Sequence, residues 1–234
     1  MGTALPGDRL AFVDALAHLT GATGPGDDLC GPFVGALGVT GAVISTLGDP
    51  LGSQTVCASD RVAARIDEIQ IDLGEGPCWE AMRTRRPVLE TDLHNAGGDR
   101  WPGAREALRQ LEVGALFAFP LFVGQLSIGS VDLYSGTPGP LSPTGLEDGA
   151  VLASVAARHV LRRALDDMDG IEDGMAGGLF SRREQHQASG MVAAQLQISV
   201  DDALVVLRGH AYATGRSVRV VAADVVARRV SFEP

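Results

Sequence analysis

The chain has 234 residues, enough for one large domain or two modest ones, and its 45% hydrophobic and 21% charged residues are typical of a compact globular protein. All 19 basic residues are arginine, because the sequence contains no lysine. Schiff-base enzymes, P-loop phosphate sites and phospho-acceptor receiver domains all rely on a lysine, so the composition argues against these classes.

The net charge of −10 is distributed unevenly along the chain. Residues 1–180 carry 12 arginines and 24 acidic residues, whereas residues 181–234 carry seven arginines and five acidic residues. The C-terminal segment is therefore slightly basic and could bind a polyanion, while the acidic remainder of the chain would repel one.

The cysteines and the N-terminus limit the cellular context. Cys30, Cys57 and Cys78 are odd in number, widely separated and never in a CxxC pair, so we expect neither a structural zinc site nor a disulfide framework. The N-terminus lacks the basic and apolar regions of a signal peptide, and no apolar run approaches the roughly 20 residues that span a bilayer. These features predict a soluble, cytoplasmic protein with no membrane partner.

Hydrophobic periodicity predicts an alternation of helices and hairpins in the first two thirds of the chain. Two helices are predicted at 8–20 and 29–37, followed by a hairpin with strands at 39–47 and 53–58. The next predicted elements are helices at 61–71 and up to Met82, a strand at 87–89, a loop at 92–102, and a helix at 103–111. A second hairpin with strands at 115–123 and 125–134 precedes a long helix at 142–167. This order indicates an α+β domain with an antiparallel sheet flanked by helices.

The element order, the sequence LGEGPCWEA and the apolar strands at 114–123 and 125–134 together resemble a GAF domain, a widespread small-molecule sensor, over about residues 8–165. The resemblance implies an unidentified small-molecule ligand, or a domain that binds nothing and acts as a dimerisation scaffold. Cys78, Trp79 and Trp101 are the candidate pocket residues. A half-buried structural role for Cys78 and a packing role for Trp101 are the alternatives. His94 has no partner at ligand spacing, so no metal site is predicted.

A glycine-rich, acidic stretch at 169–180 predicts a linker between a sensor domain at 1–168 and a second domain at 181–234. Helical spacing predicts a bundle of three helices in the second domain, the first at 182–196. Ser199 and Ser217 are expected to cap the second and third helices, and Gly215 is expected to end the second. Gly190 lies inside the first helix, where glycine is costly, and we expect it to mark the close approach of another backbone.

The tail contains HQASGMV, ISVDDAL, Leu207-Arg208, Val221-Ala222 and Val225-Val226, and it resembles an ANTAR domain, the helical RNA-binding module of transcription antitermination regulators. The resemblance implies that a face around the second and third helices contacts RNA stem-loops in nascent transcripts and thereby acts indirectly on the transcription machinery. The candidate RNA-binding residues are Arg208, Arg216, Arg219, Arg182, Arg183 and Tyr212, whose side chains suit phosphate contacts and base stacking. For each arginine the alternative is a solvated or salt-bridged surface residue. Ser189 replaces a lysine that is frequent in the family.

No enzyme is predicted, because the sequence has no nucleophile elbow, no HExxH and no glycine-rich phosphate loop after a strand. Asp92, His94, Asp99 and Cys78 are the residues that a hydrolytic or thiol site would need. The bundle core is thin, so a homodimer or contacts with the sensor are expected to stabilise it.

Two functions remain open at this point. In the first, a GAF-like sensor controls an ANTAR bundle that stabilises antiterminator stem-loops. In the second, the chain is a ligand-sensing or dimerisation scaffold whose bundle mediates protein interactions. A DNA-binding bundle is disfavoured because no recognition helix rich in Asn, Gln and Arg is visible.

Overall fold

The computed structural model describes residues 7–24, 26–48, 50–95, 100–169 and 179–232, and within them the side chains at 7–8, 167–169 and 179–185 lie outside the description. The chain divides into two compact units, residues 1–164 and residues 165–234. The predicted linker at 169–180 falls almost entirely outside the described residues.

The described part of the first unit contains five strands among six helices, in the order that the sequence predicts. The elements are α1 (Gly7–Gly21), α2 (Gly31–Leu37), β1 (Gly41–Thr46), β2 (Gln54–Ala58), α3 (Arg61–Leu73), α4 (Pro77–Thr84), β3 (Val88–Glu90), α5 (Pro102–Leu108), β4 (Ala115–Val123), β5 (Leu126–Ser135) and α6 (Pro143–Asp169), the last of which continues past residue 164. The prediction of an α+β domain is confirmed.

The five strands form one antiparallel sheet in the order β2-β1-β5-β4-β3. The two hairpins β1–β2 and β4–β5 meet where β1 pairs with β5, with Gly41 opposite Tyr134 and Thr46 opposite Gly129. The central strands β1 and β5 are buried along nearly their whole length, because helices cover both faces of the sheet.

Each face of the sheet has its own hydrophobic core. On one face, α1, α2 and α6 pack against alternate residues of the central strands, with Phe33, Ile44, Phe117, Phe119 and Val160 among the most buried members. On the other face, α3, α4 and α5 cover Val43, Leu116 and Ala118 with Ile66, Ala81, Trp101 and Leu108. Successive residues of a strand contact opposite cores, because side chains alternate between the two faces of a β-sheet.

Local sequence signals explain where the helices beside the sheet begin and end. The Asp60 carboxylate accepts a hydrogen bond of 2.8 Å from the Ala63 backbone and so caps α3. Gly74 ends α3 in the left-handed conformation, at φ 67°. Pro77 then occupies the first turn of α4, where its missing N–H costs nothing.

Cys30 and Cys57 are joined by a disulfide, which the expectation of no disulfide framework did not foresee. Cys30 lies immediately before α2 and Cys57 lies in β2, 27 residues further along the chain. Their Cα atoms are 6.4 Å apart, a separation that a disulfide can bridge. The pairing depends on how α2 packs beside the sheet, and the spacing of the cysteines in the sequence does not predict that packing.

The second unit contains three helices in its described part, α7 (Leu179–Leu196), α8 (Val200–Thr214) and α9 (Val218–Val226). The predicted caps are confirmed: the Ser199 hydroxyl accepts from the Asp202 backbone, the Ser217 hydroxyl accepts from the Val220 backbone, and Gly215 ends α8 at φ 63°. The core consists mostly of small residues, namely Ala188, Val192, Ala203, Leu207, Ala211, Val218, Val221, Ala222 and Val225.

No single helix in the described part of the chain is long and apolar enough to cross a membrane. By length and composition alone, the helical segments His186–Leu196 and Val200–Thr214 taken together are long and apolar enough to span a membrane, but they are bent by 101° relative to each other.

Gly190 lies on the exposed side of α7, and a Cβ atom placed there would meet no neighbouring atom within 4 Å. The expectation that Gly190 accommodates another backbone is therefore wrong. The residue fits the helix without making a contact that requires glycine.

We expect Gly190→Ala to raise the free energy of unfolding of the second unit by about 0.5–1 kcal/mol, because alanine loses less backbone entropy in a helix. Helical circular dichroism during urea unfolding measures the change. Gly215→Ala is the matched control and should destabilise the same unit, because Gly215 holds a positive φ. A loss of stability in Gly190→Ala would show that this position contacts something.

Candidate nucleic-acid interface and sensor site

One side of α8 is exposed and mostly uncharged. Val205 and Tyr212 are 64% and 63% exposed, and Gly209 between them is exposed with open space around its Cα atom. These residues are three or four positions apart and therefore share one helix face. Arg208 lies beside this face, is half-buried and takes part in an interaction within the protein. The result is an apolar, aromatic strip of the kind on which an unstacked base can lie.

The turn from α8 into α9 carries an ion-paired cluster. The Arg216 guanidinium bonds Oδ2 of Asp224, and Arg229 Nε donates to Oδ1 of the same carboxylate at 2.6 Å. These hydrogen bonds, the one from Arg216 first, lower the pKa of Asp224. Two arginines share one carboxylate, so the cluster keeps one positive charge and holds both guanidiniums in place.

Arg219 is exposed in the first turn of α9. That turn contains no acidic residue, and the positive end of the helix dipole already favours anions there. A phosphate placed at this end of α9 would meet both the helix terminus and a guanidinium.

The structure brings some of the predicted RNA-binding residues together and leaves others undetermined. Arg208 and Tyr212 lie one turn apart on α8, and Arg216 and Arg219 flank the start of α9. Arg182 and Arg183 belong to α7, but their side chains lie outside the described residues. Ser189 is only 3% exposed, so the position that carries lysine in the family faces the bundle core in this chain. The predicted set omits Arg229, although the Arg228-Arg229 doublet was a visible signal.

In the first unit, Gln70 connects two of the three candidate pocket residues. Its Oε1 accepts from the Cys78 backbone at 3.0 Å, and its own backbone oxygen accepts from Trp79 Nε1 at 2.7 Å. Trp101 is 8% exposed and stacks beneath Arg100, whose guanidinium lies 4.3 Å from the ring centre. Its burial in the core and its contact with Arg100 give Trp101 a packing role.

Cys78 is completely buried, not half-buried as expected. Burial raises the pKa of its thiol, and the nearby Asp132 and Asp67 raise it further. A thiol that stays protonated is a poor nucleophile. The other residues considered for a catalytic site do not assemble with it: Asp92 accepts hydrogen bonds from the His94 and Asn95 backbones in an exposed turn, and Asp99 lies outside the described residues.

Between the sheet and α3 lies a buried polar group that the sequence analysis missed, consisting of Asp67, Gln70, Ser130 and Asp132, here called the carboxyl cluster. Gln70 Nε2 donates to Asp132 Oδ2 at 2.5 Å, and Ser130 Oγ lies 2.7 Å from Asp132 Oδ1. Thr55 Oγ1 donates to Asp67 Oδ2 at 2.6 Å, while Asp67 Oδ1 has no hydrogen-bond partner in the described part of the chain.

The carboxyl cluster favours protonated carboxyls. Burial raises the pKa of Asp67 to about 6 and that of Asp132 to about 7, although hydroxyl groups beside each carboxyl, and Gln70 beside Asp132, act in the lowering direction. The charge of Asp67 raises the pKa of Asp132 further. The hydrogen bonds recorded for both carboxyls come from neutral groups, and neutral donors do not offset the cost of burying a charge.

A sequence signal for the carboxyl cluster did exist. Asp132 is the one charged residue of strand β5, and Asp67 and Gln70 share the face of α3 that carries Ile66. A polar residue on a core-facing position is informative because burying it is costly. Within the described residues, no group of three or more His, Cys, Asp or Glu side chains could hold a metal ion.

Models of known protein families match two separate parts of the chain, one in each of the two compact units. The GAF domain model matches residues 34–158, and the ANTAR domain model matches residues 177–226. A comparison with curated proteins gave no significant match.

Several solved GAF domains are similar to part of this chain at low identity. The GAF domain of cyanobacteriochrome TePixJ is 20% identical over 62% of this chain and 94% of its own, with a TM-score of 0.49. The GAF domain of a phosphoenolpyruvate-protein phosphotransferase from Acinetobacter is 10% identical over 68% of this chain and 95% of its own, also at 0.49. The corresponding domain from Coxiella burnetii is 13% identical over 71% and 96%, at 0.48. The chain belongs to the GAF domain family and is a regulator that combines a GAF sensor domain with an ANTAR domain.

Proposed function

We propose that this protein is an RNA-binding transcription antitermination regulator, with a sensor at 1–168, a linker at 169–180 and an ANTAR bundle at 181–234. The observation that carries the proposal is the exposure of Tyr212 on α8, one turn after Arg208, together with the exposure of Arg219 in the first turn of α9. Small folded RNAs offer both groups that such a face can bind, namely phosphates and unstacked loop bases.

In the proposed complex each part of this face has its own role. A loop base stacks on Tyr212, and Val205, exposed on the same side of α8, extends the apolar surface. Arg219 and the cluster of Arg216 and Arg229 contact backbone phosphates, and Asp224 holds the cluster in position. Regular duplexes offer no unstacked base to Tyr212, so the face favours hairpin loops.

The regulatory step follows from binding. A bundle that stabilises one hairpin in a nascent transcript prevents the alternative terminator hairpin from forming, and transcription continues. The bundle core is built mostly from alanine and valine, and it therefore gains from pairing with a second bundle. The active form is accordingly proposed to be a homodimer whose pairing the GAF domain controls in response to a small-molecule signal.

Fluorescence anisotropy with a stem-loop RNA and with duplex DNA of equal length tests the proposal. The full chain should prefer the stem-loop, with an affinity that falls as salt rises. Tyr212→Ala combined with Arg219→Ala should weaken binding by about tenfold or more, since one stacked base is worth roughly 1–3 kcal/mol. Arg61→Ala, an exposed arginine of the sensor domain, is the control and should bind normally. Equal affinity for both nucleic acids, or for neither, would favour the protein-interaction scaffold.

A further inference from the structure

The disulfide between Cys30 and Cys57 lies at the edge of the GAF sheet. Cys57 belongs to β2, the edge strand, which pairs with β1 and with no other strand of the sheet. Cys30 is only 1% exposed, whereas Cys57 is partly exposed. A small reagent can therefore approach the pair from the Cys57 side, while Cys30 stays covered by the core.

Strand β2 connects the disulfide to both layers of the sensor. Val56 and Cys57 pack against the core beneath α1, α2 and α6, whereas Ala58 packs against the opposite core. Thr55, two residues before Cys57, donates its hydroxyl hydrogen to Asp67 of the carboxyl cluster. Breaking the disulfide releases β2 from the start of α2, and the strand can pass that change to the carboxyl cluster through Thr55.

We propose that Cys30 and Cys57 form a reversible redox switch of the GAF domain, oxidised by a hydroperoxide and reduced by a cellular dithiol. The inference rests on the proposed function in one respect: a protein that acts on nascent RNA works among reduced thiols. In such compartments a disulfide is ordinarily transient and catalytic or redox-sensing, rather than a permanent structural bond.

The hydroperoxide is the oxidant that accepts the two electrons of the thiols. The Cys57 thiolate attacks one peroxide oxygen, the O–O bond breaks, and Cys57 becomes a sulfenic acid as the alcohol or water leaves. Cys30 then attacks the Cys57 sulfur and displaces water, which forms the S–S bond. The two thiols lose two electrons and two protons in total, and the hydroperoxide is reduced to an alcohol and water.

Reduction runs through thiol–disulfide exchange. One thiolate of the dithiol attacks the partly exposed Cys57 sulfur, and Cys30 leaves as a thiolate that then takes up a proton. The second thiol of the reductant then closes its own disulfide and releases Cys57. Cys78 takes no part, because it is completely buried.

Thiol counting on the full chain is the first test. After treatment with hydrogen peroxide, alkylation in denaturant and mass spectrometry should find Cys30 and Cys57 joined and Cys78 free. In mixtures of reduced and oxidised thioredoxin, the pair should be half reduced at a ratio within about tenfold of unity. Cys78→Ala should titrate like the wild type, whereas Cys30→Ser should form no internal disulfide. A bond that persists in a hundredfold excess of reduced thioredoxin would be structural and would overturn the proposal.

Stem-loop binding by the full chain is the second test. The oxidised and reduced forms should differ in RNA affinity by about fivefold or more, the lower end of ordinary allosteric coupling. Cys30→Ser should show one affinity under both conditions. Equal affinities of the two wild-type forms would overturn the switch. If neither form binds RNA, the proposed function fails, and the thioredoxin titration still decides whether the pair is a redox site.

Discussion

Lowering the pH from 8 to 5 is expected to stabilise the GAF domain by several kcal/mol. The cause is the raised pKa of Asp67, about 6, and of Asp132, about 7, against about 3.8 in the unfolded chain. Between pH 4 and 7 the folded domain holds protons that the unfolded chain has released, so the free energy of unfolding falls as the pH rises through this window. Each unit of pKa difference corresponds to about 1.4 kcal/mol.

His159 acts in the opposite direction within this window, because burial and the neighbouring Arg162 and Arg163 lower its pKa, but it is one group against two carboxyls. Asp60 caps α3 and has a lowered pKa, so it loses stabilising energy only when the pH falls below its usual titration range. Glu68 and Cys78 also neighbour the two carboxyls. The charge of Glu68 raises the pKa of Asp67, which acts in the same direction as burial, and Cys78 is a neutral thiol.

Asp132→Asn should stabilise the domain at pH 8 and flatten its pH dependence. An amide at position 132 can accept from Gln70 and donate to Ser130, whose hydroxyl hydrogen then bonds the Phe119 carbonyl oxygen. The bond between residues 130 and 132 is reversed in direction, the other hydrogen bonds are kept, and the buried charge is removed.

Urea unfolding at pH 5 and pH 8, followed by tryptophan fluorescence, measures the change. Both tryptophans, Trp79 and Trp101, lie in the first unit, so the signal reports that unit alone. Glu147→Gln, at an exposed position of α6, is the matched control and should change neither value. A wild-type domain equally stable at both pH values would show that the two carboxyls are not buried as described.

Gly129→Ala is expected to cost more than about 3 kcal/mol and to prevent the sensor from folding at ordinary temperature. Gly129 lies in β5 opposite Thr46 of β1, where the two hairpins meet. A Cβ atom at Gly129 would stand 1.9 Å from the Ser45 carbonyl oxygen and 2.8 Å from the Thr46 Cα atom. Both atoms are backbone, so relief requires the separation of the two central strands.

The tryptophan signal in urea again provides the measurement. Gly35→Ala in α2 is the control, because a Cβ atom there would meet nothing within 4 Å. It should leave the unfolding midpoint unchanged or raise it slightly. A Gly129→Ala protein with the wild-type midpoint would contradict the close approach of β1 and β5.

Features that depend on neighbours along the chain could be predicted from the sequence. The bounds of β4 are those predicted, and the caps at Ser199 and Ser217 and the end of α8 at Gly215 are confirmed. Each of these features is set within a few residues, by side-chain period or by a hydrogen bond that spans one turn. The family resemblance also came from contiguous motifs, which the two family models match.

Tertiary packing decided the features that join distant parts of the chain. The Cys30–Cys57 disulfide and the contact of Gln70 with Asp132 link residues 27 and 62 positions apart. The clash expected for a Cβ atom at position 129 likewise involves backbone atoms of β1, more than 80 positions earlier in the chain. By itself the sequence determined the domain families, the order of elements and the arginines that the bundle core does not use. Only the fold decided which polar groups became buried and which cysteines met, because burial and long-range pairing follow from the packing of whole elements.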